Sequence, residues 1–338
     1  MTSGDTSKSA ATGNVFHPGE LMVQERAGVA ASVAAIGQYN IRPFMPQQHR
    51  RFFENLSTLF YGALDSAGRP WAAMLTGAAG FVQSPTETVL TVNANPLPGD
   101  PVYSQLCDGD NIALLGLELN TRRRNRANGQ ISKIDSQGLQ IRIKQSFGNC
   151  PKYIQRRDLI AVAKNTAINT GAEAAACNTD DASIEFIESS SILDARHLKI
   201  IAQADTFFIS SVSSPKDVDS AEATEAACGP DVSHRGGKPG FISVHSNKLV
   251  WPDYAGNNFF NTLGNIAVNP AVGLLIPHFH SGDLLYMTGH AEIVWEESAV
   301  ADLPGAQRLV SFEATQTRLA SGALNLRYTE AEPSPFLP

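Results

Sequence analysis

The stretch Asp231-Val232-Ser233-His234-Arg235-Gly236-Gly237-Lys238-Pro239-Gly240-Phe241-Ile242-Ser243-Val244 decides how the chain is read. Taken alone, it is a polar, glycine-rich loop with two cations, Arg235 and Lys238, running into a short strand of β-branched and aromatic residues. Glycine lets a backbone approach a ligand closely, so with Ser233 nearby such a loop can hold a phosphate; it can equally be an ordinary turn. Its Gly240-Phe241-Ile242 has a counterpart in Gly80-Phe81-Val82, 160 positions earlier. At the same offset of 160, Asn111–Leu115 falls on Ala271–Leu275 and Asn128-Gly129 on Thr288-Gly289. A register kept from residue 80 to 129 reads as two related domains rather than a solenoid. Upstream, Phe60 and Phe207 are only 147 apart, which places extra residues between Val212 and Pro230.

Local patterns agree with a duplicated β domain. Phe52, Phe53, Leu56 and Leu59 recur at helical spacing after Pro46, and a short helix is expected over Glu20 to Ala27. Leu59–Leu64, the turn Asp65–Gly68 and Arg69–Leu75 read as strand, turn, strand. Further strands are expected over Thr88–Asn93, Ile112–Leu119, Gln130–Ile134 and Leu139–Ile143. The plan returns with a helix within Phe186–Ala204 and a strand from Thr206. The expected organisation is a disordered tail over 1–15, a first domain over 16–160, a polar linker over 161–183 and a second domain over 184–338.

Composition narrows the class. A chain of 338 residues has room for two domains of ~100–200 residues. With 43% hydrophobic and 17% charged residues it reads as a soluble globular protein. Net charge of −7 argues against a nucleic-acid partner that works by counterion release, but leaves room for a local cationic pocket. No apolar run suits a bilayer, and the first fifteen residues lack a secretory pattern. Cys107, Cys150, Cys177 and Cys228 show no Cys-x-x-Cys spacing, so reduced thiols in a cytoplasmic protein are expected. A Cys177–Cys228 disulfide has nothing else to recommend it.

From Asp231–Phe241 the sequence continues through Trp251-Pro252-Asp253-Tyr254-Ala255-Gly256-Asn257-Asn258, Asn261–Ile266, Asn269–Ile276 and Thr288–Ala291. In this order and spacing, over Ala204 to Val294, the chain resembles the pyridoxamine 5′-phosphate oxidase-like, flavin-binding split-barrel family. Leu59 to Tyr153 resembles it less closely, through Gly68-Arg69-Pro70, Gly109-Asp110 and Arg122–Gly129. The resemblance implies a mainly β protein with flanking helices, built as two tandem six-stranded Greek-key split barrels that form a pseudo-dimer within one chain, with FMN in the groove between them. It places the FMN phosphate at the loop after Lys248–Trp251. There Asn257 and Asn258 stand in place of the family's hydroxyl and basic residues, leaving the charge to Arg235 and Lys238. Ser233, Gly236 and the backbone near Ser243 and Val244 complete the expected cofactor contacts. Lys152 and Tyr153 either reach the flavin ring across the interface or simply cap the first barrel. The matching loop Asn93–Asp100 carries two prolines and no cation, and Leu75–Phe81 has no match for Arg235 or Lys238, so at most one flavin phosphate site is expected, built mainly on the second domain.

Other constellations carry less. His278 and His280 fall on one face of a strand, a metal pair lacking a nearby third ligand in sequence. Gly236–Pro239 lacks the spacing and the hydroxyl residue of a P-loop. Cys150 reads as a structural thiol or a nucleophile, and Trp71 and Trp251 as core or interface residues. The basic run Arg122–Arg126 is either a solvated hairpin or an anion clamp at the domain interface. The expected function is an FMN-dependent oxidoreductase acting on a small molecule, with a nicotinamide electron donor and a homodimer as further expectations. The alternatives are a flavin- or other cofactor-binding protein without turnover, and a partner domain of a separate reductase.

Overall fold

The computed structural model describes residues 14–162, 186–188, 192–213 and 227–338. Three helices come first: α1 (Pro18–Arg26), α2 (Ala30–Asn40) and α3 (Gln47–Glu54). Seven strands follow: β1 (Thr58–Leu64), β2 (Pro70–Thr76), β3 (Val82–Thr86), β4 (Val89–Val92), β5 (Asn111–Glu118), β6 (Arg123–Asp135) and β7 (Gly138–Gly148). After β8 (Leu159–Val162), β9 (Phe186–Glu188) and α4 (Ala195–Gln203) the plan returns as β10 (Thr206–Ser213), β11 (Gly229–Gly236), β12 (Ser243–His245) and β13 (Lys248–Tyr254). Helix α5 (Asn261–Val268), β14 (Ala271–His278), β15 (Asp283–Val294), β16 (Ala306–Ala320) and β17 (Leu326–Tyr328) complete the chain. Most of the expected tail and linker, together with Cys177, lies outside the described residues.

The two halves share one topology. The first sheet runs β2-β1-β5-β6-β7-β4-β3 and the second β11-β10-β14-β15-β16-β13-β12, the same path with every strand number raised by nine. Each barrel path therefore has seven strands rather than the expected six. Among the described residues no ladder joins the two ends of either path, so each barrel is split. A bulge interrupts β6 at Asn128/Gly129 and β15 at Thr288/Gly289. A Cβ at Gly129 would overlap the Arg142 carbonyl, and one at Gly289 the Glu313 carbonyl. A glycine at a bulge admits such an approach, which is why both copies keep it.

Register also corrects one offset. Thr58 pairs with Thr76 and Thr206 with Gly236; Thr76 and Gly236 are 160 apart, whereas Thr58 and Thr206 are 148 apart. Phe60 therefore corresponds to Phe208, not Phe207. These two rings stack across the interface with centroids 3.5 Å apart. Strands β1 and β10 are buried almost throughout, since one face fills a barrel and the other covers the neighbouring barrel. Phe208, Val232, Leu275 and Tyr286 of the second half belong to the same buried cluster as Phe60, Trp71 and Leu75 of the first.

The chain ends cross over. Helix α1 opens with a capping box between His17 and Glu20 and with Pro18 at its first turn. It lies on α5 of the second half, where a Cβ at Gly19 would overlap the Gly264 carbonyl. Gln24 Nε2 donates to the Phe259 carbonyl (3.2 Å). In the other direction, β17 pairs with β8. Each half is thus strapped by a segment of the other. No helix among the described residues is long and apolar enough to cross a membrane.

Candidate functional site: a cationic groove between the barrels

The stretch from Asp231 to Gly236 is strand, not loop: it pairs with β10 along its length, and the turn is confined to the residues just beyond. The cause is alternation. Asp231, Ser233 and Arg235 lie along one face of the pleat, Val232 and His234 along the other, where both are buried. A charged run with period two looks polar on paper but can lie in an interface. The same holds for the basic run. Arg124 and Arg126 stand on β6, paired with β5 and β7, and point across to the second barrel instead of forming a solvated hairpin.

Arg126 is 3% exposed and holds four partners of the opposite half. Nη1 meets Asp231 Oδ1 (3.0 Å) and Asn261 Oδ1 (2.8 Å), and Nη2 donates to the Val232 carbonyl (3.0 Å) and Ser233 Oγ (2.6 Å). Its guanidinium also lies 5.1 Å from the centre of the Phe147 ring. Arg124 Nε donates to the Cys150 carbonyl (2.8 Å), and Nη1 approaches His234 Nδ1 (3.3 Å). Burial, helped by Arg126, pushes Arg124 down to about 10, so it remains a cation at neutral pH. Burial and the neighbouring Arg124 and Arg235 hold His234 well below the usual histidine range, so it is neutral.

Two adjoining cavities of about 100 and 70 Å³ open between these strands. Arg124, Cys150, His234, Arg235, Tyr254 and Gly256 line both. Arg235 Nη1 pairs with Asp253 Oδ1 (2.6 Å), whose Oδ2 meets Arg308 Nε (3.4 Å). The floor of the larger cavity is the start of α5. Phe260 occupies its N-cap in a left-handed conformation (φ 60°), and no side chain caps the helix. Asn261, Thr262 and Leu263 line the cavity, so the first N–H groups and the positive end of the helix dipole face it. Thr262 Oγ1 donates to Ser233 Oγ (2.8 Å). Left-handed backbone at Tyr153 (φ 66°) and Asn258 (φ 61°) adds strain around the same groove, at sites where it is retained only under constraint.

Beneath the helix start lies Glu20. Its carboxylate accepts from the His17 N–H (2.8 Å) and from Asn261 Nδ2. Burial pushes Glu20 up to about 8 and His17 down to about 4. Nothing in the sequence places α1 near a site. The capping box around Glu20 was the available signal, but its second role at Asn261 depends on a contact between chain ends.

The groove gathers some of the expected cofactor residues and leaves others out. Ser233, Arg235, Asn257 and Asn258 line the larger cavity, and Lys152, Tyr153, Arg235 and Gly236 the smaller. Gly236 is bare because a Cβ there would overlap the Tyr153 carbonyl. Asn257 Oδ1 accepts from the Phe259 N–H (3.2 Å) and so shapes the loop. Tyr153 Oη donates to the Ala255 carbonyl (3.1 Å), and its ring centre lies 5.1 Å from that of Tyr254. Lys238 lines neither cavity; past the end of β11 it turns to the Pro338 carbonyl and a different pocket. Ser243 and Val244 are on β12, at the far edge of the sheet from β11; Ser243 Oγ donates to the Val250 carbonyl (3.2 Å) and Val244 packs on the second barrel's core. Among the described residues no group of His, Cys, Asp and Glu is arranged to hold a metal.

The pseudo-symmetric groove is shut. At offset 160, Asp231, Ser233 and Arg235 become Trp71, Ala73 and Leu75, and Arg124 and Arg126 become Leu284 and Tyr286; all five replacements are fully or almost fully buried. Where α5 would be there is a single 3₁₀ turn, Tyr103–Gln105. Asp100, the counterpart of Phe260, accepts from the N–H groups of Val102 and Tyr103 (both 3.0 Å) and from Tyr61 Oη (2.6 Å). The first copy supplies its own carboxylate at the place where the second copy leaves N–H groups uncapped.

No family model matches the sequence, and no curated protein matches it. Similar solved structures include general stress protein 26 from Bacillus anthracis (14% identity, 40% of this chain and 92% of that one, TM-score 0.25). A protein related to general stress protein 26, of the pyridoxinephosphate oxidase family, from Clostridium acetobutylicum gives 9% identity over 40% of this chain and 92% of that one, with TM-score 0.25. The FAD binding protein from Mycobacterium smegmatis gives 14% identity over 38% and 98%, with TM-score 0.25. The similar solved structures thus include members of the pyridoxinephosphate oxidase and general stress protein 26 kind beside a FAD binding protein.

Proposed function

We propose that the open groove binds the phosphate of FMN, one per chain, and that the protein is an FMN-dependent oxidoreductase of the pyridoxamine 5′-phosphate oxidase-like type acting on a small molecule. The observation that carries this reading is the uncapped start of α5 flanked by Arg126 from one barrel and Arg235 from the other. A helix N-terminus with converging cations and hydroxyls is a site for an anion. The donors left for a phosphate are Arg235 and the first N–H groups of α5; Arg126, whose Nη groups are taken up by the second barrel, contributes charge from behind. Two buried donors beside the groove, Asn149 Nδ2 and Arg235 Nε, have no hydrogen-bond partner among the described residues. The enclosed space matches the phosphate end, since whole-ligand pockets run to ~300–1,000 Å³. Asp231 and Asp253 each offset one arginine, which holds the cations in place and leaves the net charge of the groove positive.

FMN bound there would supply the redox chemistry. The chain's own part is to bind and orient: Arg235 and the first N–H groups of α5 hold the anion, Arg126 adds charge while tying the barrels together, and Tyr153, hydrogen-bonded to Ala255, presents an aromatic wall beside it. Neutral His234 keeps a proton-bearing ring close to Arg124 without adding charge. The test is direct. Purified protein should be yellow or take up FMN at micromolar concentration, and a reduced nicotinamide should bleach the bound flavin. Uptake without bleaching would leave a flavin-binding protein or the partner of a separate reductase; colourless protein that takes up no FMN would remove the flavin reading altogether.

A further inference from the structure

Lys238 and the His278/His280 pair, which the groove does not use, meet at a second cavity of about 520 Å³. That size is within the ~300–1,000 Å³ of small-molecule pockets. Its floor is apolar and partly planar: Phe279 and Tyr328 meet edge to face at 5.3 Å, with Pro239 and Pro277 beside them. Arg157, 8% exposed, is part of the wall. Its Nη2 pairs with Asp205 Oδ2 (2.6 Å) and its guanidinium stacks 4.6 Å from the Phe279 ring centre. Nη1 has no hydrogen-bond partner among the described residues. Asp205 is thus committed to Arg157, while Lys199 and Lys238, the latter donating to the Pro338 carbonyl, stand exposed at the rim, against one further lining carboxylate, Glu330. Burial lowers His278, whose Nδ1 lies 2.6 Å from Ser281 Oγ, so the positive charge belongs to arginine and lysine.

We propose that this cavity is a second binding site, distinct from the groove, for a small organic anion with a flat apolar body, of the aromatic carboxylate or sulfonate class. The apolar rings accept the body, and Arg157, held flat by Phe279 and Asp205, offers a fixed cation of the kind that selects planar anions. The lysines at the rim raise the local concentration of such anions. A lone metal ion does not suit the site, because among the described residues no third His, Cys, Asp or Glu is placed to join the two histidines, and they lie among cations.

The probe is 8-anilinonaphthalene-1-sulfonate, whose fluorescence rises on binding, with benzoate as competitor. Wild type should bind one probe per chain, displaced by benzoate. Arg157→Gln should weaken binding about tenfold or more, the scale of a lost charge-assisted contact. Arg235→Ala, in the groove, should leave probe binding unchanged, which separates this site from the flavin reading. Should Arg157→Gln fail to fold, the exposed pair Lys199→Gln/Lys238→Gln decides: a loss of several-fold at low salt supports the site, and unchanged affinity overturns it. Full probe affinity in folded Arg157→Gln, or no saturable binding by wild type, also overturns it.

Discussion

The two grooves made by one duplicated fold differ at the same five side chains and at one helix cap. In the open groove, Asp231, Ser233 and Arg235 face Arg124 and Arg126; in the shut one, Trp71, Ala73 and Leu75 face Leu284 and Tyr286. Strand order and the bulge at Gly129 and Gly289 are the same in both, so the topology alone does not make a binding site. What differs is whether the interface is filled by apolar volume or by charges that need partners. The helix start shows the same choice: Asp100 completes its turn from within the chain, and Phe260 leaves α5 to be completed from outside.

The largest expected effect is on the side chain that ties the open groove together. Arg126→Met should destabilise the protein by ~3–5 kcal/mol, because it strands buried Asp231 without its cation. Denaturant unfolding measures this, and the double variant with Asp231→Asn should recover part of the loss. A loss below about 1 kcal/mol for Arg126→Met would mean that the interface does not depend on the pair.

Arg235→Ala should leave the fold intact, since Asp253 keeps Arg308, yet weaken FMN binding by roughly 1.5–3 kcal/mol. Equilibrium titration followed by flavin fluorescence reads it. Unchanged affinity would move the phosphate elsewhere.

Next comes pH. Glu20 is raised from 4.5 to about 8, so the folded state holds a proton that the unfolded state has released, and stability falls as pH rises through that window. His17 is lowered from 6.5 to about 4, which makes stability rise between those values. The two oppose each other up to about 6.5; from there to about 8 Glu20 acts alone, at ~1.4 kcal/mol per pH unit. Unfolding curves should therefore show a decline of about 2 kcal/mol over that range. Glu20→Gln should flatten it, and an equal decline in that variant would assign the proton to another group.

The smallest change sharpens the cap. Phe260→Asp copies Asp100 into the second barrel, at a left-handed position that Asp tolerates better than Phe. Compared with Phe260→Ala, which loses the same packing on the second core and Arg308, it should be more stable by about 1 kcal/mol and bind FMN more weakly by at least as much, because a resident carboxylate then competes for the N–H groups. Thermal melting and flavin titration on the same sample check both signs.

Much of the fold was legible because the duplicated copies keep their backbone-critical residues at one offset. Gly129 and Gly289 are fixed by a bulge, and the Gly-Phe pairs at 80–81 and 240–241 mark the same turn into a strand. The upstream offset is one residue longer than the sequence suggests, because Phe207 and Phe208 are adjacent and only pairing with Arg235 and His234 tells them apart. The site was less legible. Lys238 and Arg235 sit three residues apart, yet the turn sends them to different cavities. Arg124 and Arg126 look solvated because they stand in a basic run with exposed Arg123, while Arg122 is tied to Ile154 and Glu332; their counterparts Leu284 and Tyr286, at offset 160, are the signal that these positions are interior. Glu20 could not be assigned from sequence, since its partner Asn261 is 241 residues away.

The difference between the grooves is tested most directly by the stoichiometry of FMN uptake, measured by titrating apoprotein and recording bound flavin per chain. One open and one shut groove predict one FMN per chain, lost or strongly weakened in Arg235→Ala and unaffected by Leu75→Ala in the shut groove. Two flavins per chain, none, or one whose affinity follows Leu75 and ignores Arg235, would contradict it.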